Sequence, residues 1–347
     1  MLHAPFSCLS TMSYKYKLNK ATQQFLKVYH APKKGPVRDL TLEDRRKGYN
    51  ALMSSQLFGW EAPDNGVTSK NISIASRHSD RKIPCTVYYP PSSDGLVPKP
   101  CFLYAHGGGW TLGEPLVYDN FVRKVCAKIE AVCISVDYAR APEVKFPGAA
   151  HDFYDVFQHI ASGNFGDEID SNKIVVSGDS AGGNLTAVVS SMAVKDGLQN
   201  HIKLQAPLCG VFDATDEGVA GSKSWDAFGN DHFLDRATMD YFKEKYFSNP
   251  DDTRDEIASP LLASSFKDLP KTYIAACSHD PLLSDSIAYK KKLQEFNVEH
   301  ELQIFPGIHV FWMIPKACQD AACEEFIDAL CDHVQSAFAN SGSRSML

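Results

Sequence analysis

Short apolar, β-branched runs recur along this chain and alternate with amphipathic stretches, and no other feature narrows the fold so much. CFLYAH (Cys101–His106), AVCISVDY (Ala131–Tyr138) and KIVVSG (Lys173–Gly178) carry almost no polar spacing, as strands buried on both faces do. LQAPL (Leu204–Leu208), TYIAACS (Thr272–Ser278) and ELQIFPG (Glu301–Gly307) continue the series. Between them NFVRKVCAKIE (Asn120–Glu130) and AAHDFYDVFQHIAS (Ala149–Ser162) have helical periodicity, and AACEEFIDALCDHVQSAFA (Ala321–Ala339) closes the chain with a helix. Two earlier runs, NISIAS (Asn71–Ser76) and CTVYYP (Cys85–Pro90), alternate apolar and polar residues like half-exposed strands, and the turn-forming PSSDG (Pro91–Gly95) follows. The pattern predicts an α/β fold with a mostly parallel central sheet flanked by helices.

Two segments break the rhythm. Residues 1–65 precede the first strand, and residues 211–258 interrupt the series with acidic, aromatic and Asn/Pro-rich sequence. Both are expected to fold as a helical cap over one end of the sheet, leaving 66–210 and 259–347 as the core. Within 1–65, LNKATQQFLKVYHA places Leu18, Phe25, Leu26 and Tyr29 on one helical face. The stretch from Met1 to Arg38 is basic and contains no acidic residue, which also suits an organelle transit peptide, with Met12 as an alternative start. Cytoplasmic residence is the main expectation and organelle targeting the alternative.

A formal charge of -7 and a pI near 5.9 argue against nucleic-acid binding, which needs a clustered basic face. The apolar runs are too short to span a membrane. The ten cysteines include no CxxC pair and read as buried thiols in a reducing compartment. No HExxH motif and no close sequence cluster of His, Cys and Asp points to a metal. The implied partner is a small molecule, for a monomer or homodimer that needs no cofactor.

Two glycine clusters carry the chemistry. GDSAG (Gly178–Gly182) lies between a strand-like and a helix-like run. GxSxG in that setting is a nucleophile elbow, a sharp turn that lifts Ser180 clear of the sheet. A serine hydroxyl needs a base, and the attacked carbonyl needs somewhere to place its negative charge. The backbone N–H of Ala181 supplies one donor. HGGGW (His106–Trp110) supplies the others at a strand end, where residues without side chains let the N–H groups of Gly107 and Gly108 approach an oxyanion.

With HGGGW, VDYARAPE (Val136–Glu143), GDSAGGN (Gly178–Asn184), SHDPLLSD (Ser278–Asp285) and FPGIHVF (Phe305–Phe311), the chain resembles the hormone-sensitive-lipase-like family of α/β-hydrolases in its GDSAG-type esterase branch. The resemblance runs from about Leu18 to near residue 338. It implies a catalytic triad of Ser180, Asp280 and His309, in the order that the fold imposes. Two departures stand out. DPLLSD has Ser284 where the family places a second Asp, which makes Asp285 the rival acid, and FPGIH has one residue between Gly and His where two are common. Of the twelve histidines, His106 is expected to brace the glycine loop and His279 to point away from the acid. His151 and His159 fall on a helix, and His309 alone follows a late strand and a Pro-Gly turn.

The resemblance implies hydrolysis of short- to medium-chain or aryl carboxylic esters through an acyl-enzyme. An amidase or deacetylase on the same triad is the alternative, and a non-catalytic ligand receptor on this scaffold is a third reading. Specificity is expected from Trp110 and the cap segments, where Trp225, Phe228, Phe233, Tyr241 and Phe242 are concentrated. Trp110, Trp225, Phe228 and Phe311 are the candidate pocket residues.

Overall fold

A computed structural model of the chain describes residues 17–30, 40–54, 59–78, 81–93, 97–318 and 320–340. Most of the basic start, Met12 included, and part of the Pro91–Gly95 turn lie outside these residues. Eight strands form one sheet: β1 (Thr68–Ala75), β2 (Lys82–Tyr89), β3 (Lys99–Ala105), β4 (Val132–Val136), β5 (Ile169–Asp179), β6 (Ile202–Leu208), β7 (Thr272–His279) and β8 (His300–Ile308). Their spatial order is β1-β2-β4-β3-β5-β6-β7-β8. β1 and β2 pair antiparallel, as do β2 and β4, and every later pair is parallel.

The central strands are apolar throughout because both of their faces are covered. In β3, Phe102 and Tyr104 join the core on one face, while Cys101, Leu103 and Ala105 join the core on the other. Helices α1 (Lys20–Tyr29), α2 (Leu42–Met53) and α3 (Asp119–Ile129) contribute to the first core, as does α11 (Asp320–Ala339). Helices α4 (Gly148–Ala161) and α5 (Ala181–Lys195) fill the second. The intervening insertion folds as α6 (Asp216–Ala220), α7 (Lys223–Phe228) and α8 (Arg236–Tyr246), followed later by α9 (Leu283–Glu295) and the short α10 (Pro315–Cys318).

Capping and pairing explain how the N-terminal helices attach. Asn19 caps α1 by accepting the Thr22 N–H at 2.8 Å, and its amide donates to Cys318 O at 2.7 Å. The expected face of α1 is turned inward: Phe25 is buried, and Leu18, Leu26 and Tyr29 pack against the core. Thr41 caps α2 through the Asp44 N–H. From α2, Arg46 makes a two-pronged bond to Glu143 at 2.7 and 2.8 Å and also donates to Thr111 O and Ala141 O. One guanidinium thereby fastens α2 both to Thr111, just beyond the glycine loop, and to the Ala141–Glu143 stretch.

Candidate active site

Parallel strands bring their C-terminal ends to one edge of the sheet, and every candidate catalytic side chain sits there. Ser180 follows β5 and starts α5 with φ 55° and ψ -117°, a conformation rare for a residue with a side chain. The turn is that tight because the glycines around it leave no room. A Cβ on Gly182 would come within 1.9 Å of Ala105 O, and one on Gly178 within 2.4 Å of the same oxygen.

Asp280 follows β7 and His309 follows β8. His309 Nδ1 lies 2.7 Å from Asp280 Oδ2, and Nε2 lies 3.0 Å from Ser180 Oγ. A carboxylate only accepts, so Nδ1 carries the ring proton and Nε2 is left to accept from the serine hydroxyl. Asp280 is fully buried and its other oxygen accepts the Leu282 N–H at 2.9 Å. Burial alone disfavours the charged imidazole, but the Asp280 carboxylate, helped by Cys209 beside the ring, outweighs it and raises the His309 pKa above the ordinary value.

Asp285 has a different post. Its Oδ2 accepts the N–H groups of Phe212 and Asp213 at 2.9 and 3.1 Å, pinning the β6–α6 loop to α9. Burial pushes its pKa up to about 7, with those two N–H groups offsetting part of the rise. Ser284, at the motif's departure, bonds Ser224 of α7 at 2.9 Å, and Ser224 donates to Pro281 O at 2.5 Å. The insertion is thus tied directly to the loop bearing Asp280.

The glycine loop corrects one expectation. The Gly107 N–H does not face an oxyanion position; it donates to Asp179 Oδ1 at 3.0 Å, beside the Tyr104 hydroxyl at 2.5 Å. Gly108 (φ +114°) and Gly109 (φ +59°) turn the chain so that both line the cavity with Ser180. Their N–H groups have no acceptor among the described residues, and the Ala181 N–H is the first of α5, where helices leave donors unused. The loop is braced by His106, whose Nδ1 lies 2.8 Å from Gly107 O and whose ring stacks on Tyr138 at 4.3 Å. Burial lowers the His106 pKa to about 3, so it stays neutral. His279 bonds Ser278 at 2.8 Å rather than the acid.

Ser180 and His309 open into a cavity of about 350 Å³. Its walls come from the N-terminal helices and their flanks, with Tyr29, Leu40, Tyr49 and Leu52, and from the insertion, with Phe233, Leu234, Thr238 and Phe242. None of the four candidate pocket residues lines it. Trp110 is fully buried and stacks on Tyr246 at 4.6 Å. Trp225 packs in the core with Arg236 over its ring, and Phe228 lies between His232 and His279. Phe311 is wedged among Phe305, Trp312 and Phe326. Large rings in these segments mostly hold the fold together, which aromatic composition cannot distinguish from lining a pocket. Helix α2 and its contribution to the cavity were missed in the sequence, where the Thr41-to-Asp44 cap was the available signal.

The family model described as an alpha/beta hydrolase fold matches residues 102–313. The chain belongs to the α/β-hydrolase family. Within it the chain falls in the hormone-sensitive-lipase-like esterase branch. This α/β-hydrolase is 33% identical over 248 residues to an AB hydrolase superfamily protein of Schizosaccharomyces pombe, covering 69% of this chain and 72% of that one. It is 30% identical over 309 residues to an arylesterase of Saccharolobus solfataricus, covering 86% and 94%. A crystal structure of a thermostable esterase from Pseudomonas putida superposes with a TM-score of 0.84 at 26% identity, covering 92% of this chain and 98% of that one.

Proposed function

We propose that this α/β-hydrolase is a serine carboxylesterase acting on short- to medium-chain or aryl esters through an acyl-enzyme. The observation that carries the reading is the unbroken hydrogen-bond chain from Asp280 through His309 to Ser180 Oγ. Ser180 attacks the ester carbonyl as His309 Nε2 takes its proton, and Asp280 holds the tautomer and supports the imidazolium. Charge on the carbonyl oxygen is met by the N–H groups of Gly108, Gly109 and Ala181, each such donor contributing about 3–4 kcal/mol to lowering the barrier. His309 returns the proton to the leaving alcohol, then activates water against the acyl-enzyme. Residues 1–65 and 211–258 act as the cap that shapes the substrate cavity over a catalytic core of 66–210 and 259–347.

A receptor has no need of a base, and the 3.0 Å reach of His309 to the serine favours hydrolysis. No helix among the described residues is long and apolar enough to cross a membrane. The nine free cysteines among them are all buried, which supports a reducing, cytoplasmic setting. The test is a p-nitrophenyl ester series from acetate to decanoate with wild type beside Ser180→Ala. Ser180→Ala is expected to lose about 10⁴-fold or more in kcat while folding normally by circular dichroism. Retained turnover would remove Ser180 as nucleophile, and a strong preference for matched anilides would convert the reading to an amidase.

A further inference from the structure

Strands β6, β7 and β8 are neighbours in the sheet, and each presents a metal-ligating side chain just past its C-terminal end: Cys209, Asp280 and His309. One donor atom from each lies within 4.8 Å of the other two. All three side chains are buried, with exposures of 1, 0 and 5%. Two of them belong to the proposed triad, whereas the hydrolytic steps make no use of the third. Cys209 is nevertheless held firmly. Its N–H donates to Ala275 O at 2.7 Å, and its backbone takes φ +37°, an unusual value for a residue with a side chain.

We propose that Cys209, Asp280 and His309 form an inhibitory site for a thiophilic divalent cation, Zn²⁺ or Cd²⁺. One thiolate, one carboxylate and one neutral imidazole are a donor set that zinc accepts. Tetrahedral coordination needs ligand atoms about 3.5 Å apart, so pairs near the 4.8 Å limit must close by about an ångström or slightly more. His309 Nδ1 and Asp280 Oδ2, now 2.7 Å apart, must open by slightly less than that if that nitrogen is the ligand. The charges also match: a divalent cation cancels the thiolate and the carboxylate, leaving a neutral assembly in a buried place where an uncompensated ion would be costly. Binding displaces the thiol proton to solvent. Either ring nitrogen of His309 serves as ligand with the same consequence, because taking Nδ1 breaks the bond to Asp280 and taking Nε2 removes the base from Ser180. The effect on turnover rests on the esterase reading; binding of the ion does not.

The experiment therefore has two arms on the full chain, freed of metal by chelator. In the first, Co²⁺ is titrated into Ser180→Ala, which retains the three ligands. One equivalent is expected to bind with a sulfur-to-cobalt charge-transfer band in the near ultraviolet. The band is lost when Cys209→Ser or His309→Asn is added and kept with Cys277→Ser. In the second, Zn²⁺ inhibits wild-type turnover of p-nitrophenyl acetate reversibly, and Cys209→Ser raises the half-inhibitory concentration about tenfold or more, at least the effect of losing a supporting group at a metal site. Absence of the band in Ser180→Ala, or a band that survives both ligand substitutions, overturns the site. Wild type without ester turnover would defeat the esterase reading alone, since the cobalt arm still decides the metal site.

Discussion

Ser180 keeps its positive φ because Gly178 and Gly182, two positions either side, have no side chains to meet β3. Adding one is the direct test at this scale: Gly182→Ala would place a methyl 1.9 Å from Ala105 O, forcing the turn away from β3. Overpacking of this kind costs about 1–3 kcal/mol, and the displaced hydroxyl leaves the reach of His309. Thermal denaturation is expected to show that loss, with a disproportionate fall in kcat. The Asp280–His309 pair has its own signature in pH. His309 must be neutral to act, and Asp280 raises its pKa, so kcat/KM should rise with pH through an inflection above the ordinary histidine value of about 6.5. In Asp280→Asn the inflection should move down and kcat fall by about 10⁴-fold. An unmoved inflection would mean that another group governs the profile.

The strands and most helices were legible in the sequence because burial on both faces leaves a short apolar run, β-branched or aromatic, whose length and flanking glycines set it apart from a helix, as CFLYAH and KIVVSG show. GDSAG was legible as a turn for the same local reason. Which amides of HGGGW face the serine was not, since that depends on the φ angles of Gly108 and Gly109 and on Asp179 capturing the Gly107 N–H, a contact between separate strands. Asp285 is a comparable case, reading as a possible catalytic acid in sequence and serving in the fold as a clamp between α9 and the loop after β6. Its pKa is raised to about 7, above that of an unfolded Asp. Its contribution is therefore complete below about pH 4 and lost as pH rises toward that value. Urea midpoints of wild type relative to Asp285→Asn should decline across that window. A difference independent of pH would show that Asp285 is ionised throughout. At the other end of the chain, Asn19→Ala removes both the α1 cap and the bond to Cys318, with an expected loss of about 1–2 kcal/mol in chemical denaturation.

Taken whole, the molecule sets three parallel strands and a glycine loop around one point, then walls that point with two distant segments. The apolar wall limits what enters. Phe242, whose ring would meet any side chain placed on Gly109, closes the cavity from the insertion. Phe242→Ala should favour longer acyl chains by about tenfold in relative kcat/KM, read from the same acetate-to-decanoate series. The central claim is that this constellation makes Ser180 a nucleophile. Labelling the native protein with a fluorophosphonate and mapping the adduct by peptide mass spectrometry tests it most directly. A single phosphonyl group on Ser180, formed far more slowly in His309→Ala, is the expected result; a stoichiometric adduct on any other residue, or full inactivation with Ser180 unmodified, would contradict the account.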